Sequence, residues 1–311
     1  MTEIINMMLE QKETIQKISS YYGLSSSAIE KDFYITEFLK NISNFQYNEG
    51  INVYFKGGTS LYKRFKKPVR FSEDIDLTLD ITSLSRSQIK KQLNLITKKY
   101  DIIPRSEKYK SIEHTYQSSV QTVYEYKQIY EGLEPTIKIE AISFTISKPC
   151  DQIYISSLLQ PENIFKIKCI DIRRVFTDKI FSVQNNMCRE NITEVSKHLF
   201  DIYFLMLHSN KIRKLILEPL SLRDCLELTI EEENLRMESR IKEYIANPIV
   251  INKTNLNFQK ALDVLKLFSK NVEIQDLIVY ADTYNIIVSK IWYIVREING
   301  IKNNNLLFGW D

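Results

Sequence analysis

From Lys56 to Asp80 the chain reads KGGTSLYKRFKKPVRFSEDIDLTLD, so a glycine pair and an Asp-x-Asp pair bracket a basic stretch. Few folds accommodate all three. The alternation in Ile75-Asp76-Leu77-Thr78-Leu79 predicts a strand, with Asp74, Asp76 and Thr78 on one face and Ile75, Leu77 and Leu79 packed into a core. Two carboxylates on neighbouring same-face positions converge on one spot, and an oxygen-only donor set takes Mg²⁺ or Mn²⁺. The glycines follow the apolar run Ile51 to Phe55 and precede a helix predicted over Thr59 to Phe65. Without Cβ atoms at Gly57 and Gly58, phosphate oxygens can approach backbone N–H groups and a helix N-terminus. Lys63, Arg64, Lys66, Lys67 and Arg70 fill the interval, with no acid before Glu73. The combination predicts a site for a nucleoside triphosphate (NTP) with its divalent cation. A surface hairpin with a solvated acidic turn would explain the aspartates alone, but not the glycines and the basic helix beside them.

The remainder divides by hydrophobic period. An amphipathic helix is expected over residues 3–22, striped by Ile4, Ile5, Met8, Ile15 and Ile18. Capping boxes at Ser27–Glu30 and Ser85–Gln88 predict two more helices, the first to about Asn41, the second packing Ile89, Leu93 and Ile96. Strands are expected at Ile102-Ile103, Thr115–Tyr126, Pro135–Ile142 and Phe165–Cys169. In the third of these Lys138 and Glu140 share a face opposite Ile137, Ile139 and Ala141. Within Asn163–Asp171 the period changes from two to about 3.6. Helices then follow at 171–187, 193–209, 220–243, 257–270 and 273–298, and an apolar end after Asn303 is expected to dock back. The expected fold is mixed α/β (α+β), with a sheet-bearing lobe over 1–168 and a helical lobe over 169–311.

Composition narrows the setting. An apolar content of 44% with 26% charged residues is that of a soluble chain, and a net charge of +3 does not by itself mark a nucleic-acid binder. Cys150, Cys169, Cys188 and Cys225 are too scattered for a metal motif and are expected to be reduced and buried. The N-terminus has no signal-peptide pattern, and no apolar run approaches the ~20 residues a membrane helix needs, so a cytoplasmic protein without a membrane partner is expected. His114 and His208 fall in no pattern, and His198 reads as a helix-packing residue.

Gly57-Gly58-Thr59-Ser60 followed by Ser72-Glu73-Asp74-Ile75-Asp76 resembles the first motif of the DNA-polymerase-β-like nucleotidyltransferase superfamily. The forms GGTSL-x-K and R-F-S-x-D-I-D-L resemble the AbiEii nucleotidyltransferase toxins of toxin–antitoxin pairs. Lys31-Asp32-Phe33-Tyr34 is similar to a segment that precedes the glycines in that family, and reads equally well as a helix's charged edge. Arg174 to Lys179 and Lys197-His198-x-x-Asp201-x-Tyr203 resemble its later motifs, with Val175 and Lys197 as departures. The resemblance extends to about Tyr203.

It implies transfer of a nucleoside monophosphate from an NTP to an acceptor hydroxyl, with pyrophosphate released. Asp74 and Asp76 would hold Mg²⁺ or Mn²⁺, joined by Glu140 as a third carboxylate able to help deprotonate the acceptor. As an alternative, Glu140 is a solvent-facing neighbour of Lys138. Gly57, Gly58, Thr59, Ser60, Lys63, Ser72 and Arg174 would meet the nucleotide, and Lys179 and Asp201 would be needed for activity. Lys179 lies at the margin of the stripe Ile172, Phe176, Ile180 and Val183, from where it could reach a triphosphate. Arg174–Asp178 and Lys197–Asp201 also fit plain i,i+4 ion pairs. In some related toxins the hydroxyl at the Ser72 position is phosphorylated by a cognate antitoxin, and relatives act on the tRNA 3′ end, so the resemblance implies an RNA acceptor and an antitoxin partner here. Protein nucleotidylation by the same chemistry, or an NTP-binding scaffold without catalysis, remain alternatives.

Overall fold

Strands whose apolar residues recur at every second position bury one face and leave the other polar. A computed structural model describes residues 10–65, 70–98, 104–111, 118–144, 150–235, 239–267, 269 and 272–301. The chain forms two compact units, Met1–Asp171 and Ile172–Asp311. Expectations for Ile4, Ile5, Met8, Lys66, Lys67, Ile102-Ile103, His114 and the tail from Asn303 lie outside the described residues.

The first unit contains helices α1 (Lys12–Tyr22), α2 (Ser26–Tyr47), α3 (Gly57–Arg64) and α4 (Arg86–Lys98). Its strands are β1 (Val53–Lys56), β2 (Ile75–Asp80), β3 (Pro104–Ser111), β4 (Ser118–Glu125), β5 (Thr136–Phe144), β6 (Cys150–Ile155) and β7 (Phe165–Ile170). They make one mixed seven-stranded sheet in the order β3-β4-β5-β2-β1-β7-β6, with β2 in the middle. β2 runs antiparallel to β1 and parallel to β5. Ile75, Leu77 and Leu79 join Val53, Phe55, Ile139 and Ala141 in a buried core with residues of α2 and α4. β1 and β7 pair in register only at Phe55–Cys169. Gln46 bridges them, its amide donating to the Val53 and Lys168 carbonyls (both 2.8 Å) and accepting from Lys168 N–H (2.7 Å).

Helix α2 departs from expectation at its start. Its N-cap is Ser25, whose hydroxyl accepts from Ala28 N–H (3.2 Å), and it runs to Tyr47. Glu30, expected to close a capping box, is instead buried and accepts the N–H groups of Ile129 (2.8 Å) and Tyr130 (3.0 Å). The second predicted box is formed: Ser85 N–H donates to Gln88 Oε1 (2.8 Å), and Gln88 N–H to Ser85 Oγ (3.4 Å).

The second unit is helical: α5 (Ile172–Cys188), α6 (Ile192–His208), α7 (Asn210–Leu217), a 3₁₀ turn (Pro219–Leu222), α8 (Arg223–Leu235), α9 (Ile241–Tyr244), α10 (Phe258–Lys266) and α11 (Ile274–Ile298). The single helix expected over 220–243 is therefore interrupted, and α7 is an addition. Pro219 at the head of the 3₁₀ turn separates α7 from α8. Phe181 stacks on Trp292 with centroids 5.6 Å apart, and the Trp292 indole donates to the Ile245 carbonyl (3.0 Å). Among the described residues no helix is long and apolar enough to cross a membrane. No disulfide forms, but only Cys169 and Cys225 are buried; Cys150 is exposed and Cys188 half-buried, which corrects that expectation.

The most consequential polar contact of the first unit is interior. Lys63 Nζ donates to Asp32 Oδ1 (2.5 Å) and Thr36 Oγ1 (2.7 Å), with both charged side chains inaccessible to water. Removing one partner of a buried pair strands the other, at about 3–5 kcal/mol. Lys63→Met is therefore expected to lower the stability of the first unfolding transition by about that amount, read by urea denaturation. The double variant Asp32→Asn/Lys63→Met should lose less than the sum of the single changes.

Candidate active site

The glycine turn and β2 are in direct contact. Gly57 has φ +76°, and a methyl built on it would lie 1.9 Å from Asp76 Oδ2. The same construction at Gly58 meets Ser72 Oγ at 2.8 Å and Arg70 Nη2 at 3.0 Å. Gly57 is thus required by close approach and by its left-handed backbone, whereas at Gly58 the neighbours are side-chain ends of Ser72 and Arg70 that can turn aside. The hydroxyl of Thr59 lies between the Asp74 carbonyl and Ser72 Oγ (3.1 Å to the latter), and Ser60 Oγ donates to the Gly57 carbonyl (2.8 Å). Both residues are buried. Their hydroxyls brace the turn, while the N–H groups of α3's first turn have no partner within the helix itself.

The acids meet across the strands. Asp76 pairs with Glu140 in the parallel β2–β5 register and with Lys56 in the antiparallel β1–β2 register, so all three side chains share one face. Asp74, just before β2, has Oδ2 2.7 Å from Lys138 Nζ. Burial, followed by the charges of Asp74 and Glu140, pushes the Asp76 carboxyl up to about 6, against the opposing pull of Lys56 and Lys138. Among the described residues no three His, Cys, Asp or Glu side chains already stand as a ready metal cage. What is present is a strip of oxygen donors whose mutual repulsion a hard divalent cation would relieve, and in that respect the residues fit Mg²⁺ or Mn²⁺.

Two residues expected at the nucleotide are structural. Lys63 is consumed by Asp32, Thr36 and the Ser156 carbonyl (3.2 Å), and desolvation in that interior lowers its pKa. Arg174 is also buried, its Nε on Asp178 Oδ1 (2.7 Å) and Nη2 on Glu232 Oε2 (2.5 Å), so it buttresses α8. Nor is Arg64 at the turn's disposal: it reaches Asp151 Oδ2 (2.6 Å) and the Ile170 carbonyl (3.1 Å). The Arg174–Asp178 contact is the i,i+4 ion pair that the spacing suggested, whereas Glu232, Asp32 and Asp151 are partners that no local spacing announces.

Lys179 and Asp201 belong to the second unit, where they form a pair at 2.8 Å with both side chains buried. Lys179 is thus not at a helix margin; α5 is buried nearly all round. Its Nζ also lies 3.3 Å from His198 Nδ1, so this histidine belongs to the lysine's surroundings. Lys197 Nζ donates to Glu194 Oε1 (3.0 Å). Sequence reasoning missed Lys56 and Lys138 as parts of the acidic strip. Their alternation with Glu140 and their position before Gly57 were the signals that could have found them.

A family model described as "Nucleotidyl transferase AbiEii toxin, Type IV TA system" matches residues 37–276. Among curated proteins none matches the chain. The matched span takes in the glycine turn, the acidic strip and the Lys179–Asp201 pair.

Gly57→Ala tests the close approach. Its added methyl must displace the Asp76 carboxylate, and its backbone costs about 1–2 kcal/mol. The variant should lose any rise in melting temperature that Mn²⁺ gives the native chain. Gly23→Ala is the control: φ is +66° there, but a methyl meets nothing within 4 Å, so the metal response should survive.

Proposed function

This chain belongs to the AbiEii nucleotidyltransferase toxin family of type IV toxin–antitoxin systems, and from that premise we propose that it transfers a nucleoside monophosphate from an NTP to a hydroxyl on RNA, the tRNA 3′ end being the favoured acceptor. The observation that carries the reading is the contact of Gly57 with the Asp76 carboxylate, which puts the glycine turn directly against the acidic strip.

In this reading Asp74 and Asp76 hold Mg²⁺ or Mn²⁺, which when bound screens the triphosphate and favours departure of pyrophosphate. The backbone of Gly57, Gly58 and the first turn of α3 receives phosphate oxygens. Glu140, level with Asp76, completes the donor strip and accepts the proton of the attacking hydroxyl. By resemblance to the family's later motifs, Lys179 is assigned to countering triphosphate charge and Asp201 to orienting that lysine, with which it pairs at 2.8 Å. Ser72 stands over Gly58, where a phosphoryl group would bring negative charge to the nucleotide side of the strip and oppose binding. A cognate antitoxin is the partner that family membership implies.

Incubation with α-labelled NTPs, Mg²⁺, total tRNA and lysate proteins separates the acceptors. Label is expected in tRNA. Label confined to protein would shift the reading to protein nucleotidylation, and no transfer to any acceptor would favour a non-catalytic module. Asp76→Ala should reduce transfer by about 10³-fold or more, the several kcal/mol that a metal ligand contributes to charge stabilisation. It should also abolish growth arrest on expression.

A further inference from the structure

The reading above gives Lys138 no task. It sits on the Glu140 face of β5, two positions before it, with Nζ 2.7 Å from Asp74 Oδ2. The pair is accessible, at 34% for the Lys138 side chain and 46% for Asp74. A structural brace would be expected to look like the Asp32–Lys63 pair, sealed at 0% and 3%. A half-buried, partly solvated Lys–Asp contact adds less to stability than a sealed one, so fold maintenance is the poorer explanation for this one. Its location is better explained by charge. Asp74, Asp76 and Glu140 crowd three acids onto a strip whose lateral neighbours are Lys56 and Lys138. A carboxylate oxygen already bonded to an ammonium is a poorer ligand for a divalent cation, and cation and ammonium repel each other when both are present.

We propose that Lys138 is the resident counterion of this strip: it occupies Asp74 while no divalent cation is bound, leaves Asp74 when one arrives, and then presents its ammonium to the phosphates of the incoming nucleotide. The four-carbon stem allows such a change of partner without backbone movement. The exchange makes metal and nucleotide binding cooperative, because displacing Lys138 costs less when phosphates accept it. This inference rests on the metal–nucleotide assignment of the same site.

The test uses the full chain and measures binding, not turnover. Calorimetric titration with Mn²⁺ alone is expected to give about three- to tenfold tighter binding for Lys138→Met than for the native chain, because a competitor has been removed. At saturating Mn²⁺, α,β-methylene NTP analogues should bind about three- to tenfold more weakly to the same variant, with affinity restored in Lys138→Arg. Changes of opposite sign are the signature, since general damage to the site would weaken both. If Lys138→Met binds Mn²⁺ no tighter than the native chain, the counterion role is refuted while the site assignment stands. If analogue affinity is unchanged, the hand-over to phosphate is refuted. A native chain that binds neither Mn²⁺ nor any analogue would refute the site assignment itself.

Discussion

Asp32 and Lys63 hold the first unit's site in place although neither belongs to it. Burying two charges is unfavourable unless the remaining lone pairs and protons are satisfied. Here they are well matched: Asp32 Oδ1 takes Lys63 and the Tyr62 hydroxyl (2.8 Å), and Oδ2 takes Leu158 N–H (2.7 Å). Lys63 adds Thr36 and the Ser156 carbonyl. The pair pins the C-terminal end of α3 to α2 and to the segment before β7. The N-terminal end of α3 is Gly57, against Asp76. In so short a helix, fixing one end fixes the direction of the other, so the interior ion pair determines where the glycine turn meets β2.

Three consecutive charged residues of α2 extend this logic. Glu30, Lys31 and Asp32 are all buried, and successive side chains on a helix diverge by about 100°, so each holds a different segment. Glu30 gathers the N–H groups of Ile129 and Tyr130. Lys31 bonds Glu73, the neighbour of Asp74, and the Glu134 carbonyl (3.0 Å) just before β5. Asp32 holds α3. One turn of helix thereby positions the approach to β2, the approach to β5 and the glycine turn. The sequence Glu-Lys-Asp, which could pass for a solvated helix edge, is the polar core of the lobe.

What the sequence could reveal depended on how local the determinant was. The strand character and facing of β2 and β5 follow from a period of two, and the residues on each face can be read directly from the alternation. Ser85–Gln88 closes a capping box because all its partners lie within one turn, whereas Ser27–Glu30 has the same pattern but its glutamate finds better donors 99 and 100 residues away. The buried ion pairs of Lys63 and Arg174 were out of the sequence's reach for the same reason. Residue type reports a cation, but its partner is decided by packing, 31 residues off for Lys63 and 58 for the Arg174–Glu232 contact. Strand β6 was overlooked because Cys150, Gln152 and Tyr154 are exposed and its inner positions include Asp151, so its apolar signal is weak.

The two faces of β2 do opposite thermodynamic work. On one face Ile75, Leu77 and Leu79 are wholly inaccessible, each contributing about 1.5–3 kcal/mol of burial. On the other face Asp76 stands beside Asp74 and Glu140, and burial first, then those two charges, raises its pKa. A strand with that repulsion on both faces would not hold its place in a sheet. Sliding β2 by one residue would send the acids into the core and the aliphatics outward, so the apolar face fixes the register as well as supplying the stability. Neighbours on both sides then confirm that register, since Asp76 lies level with Lys56 on β1 and Glu140 on β5. The acidic strip can exist because the middle strand of the sheet is held from behind by the core.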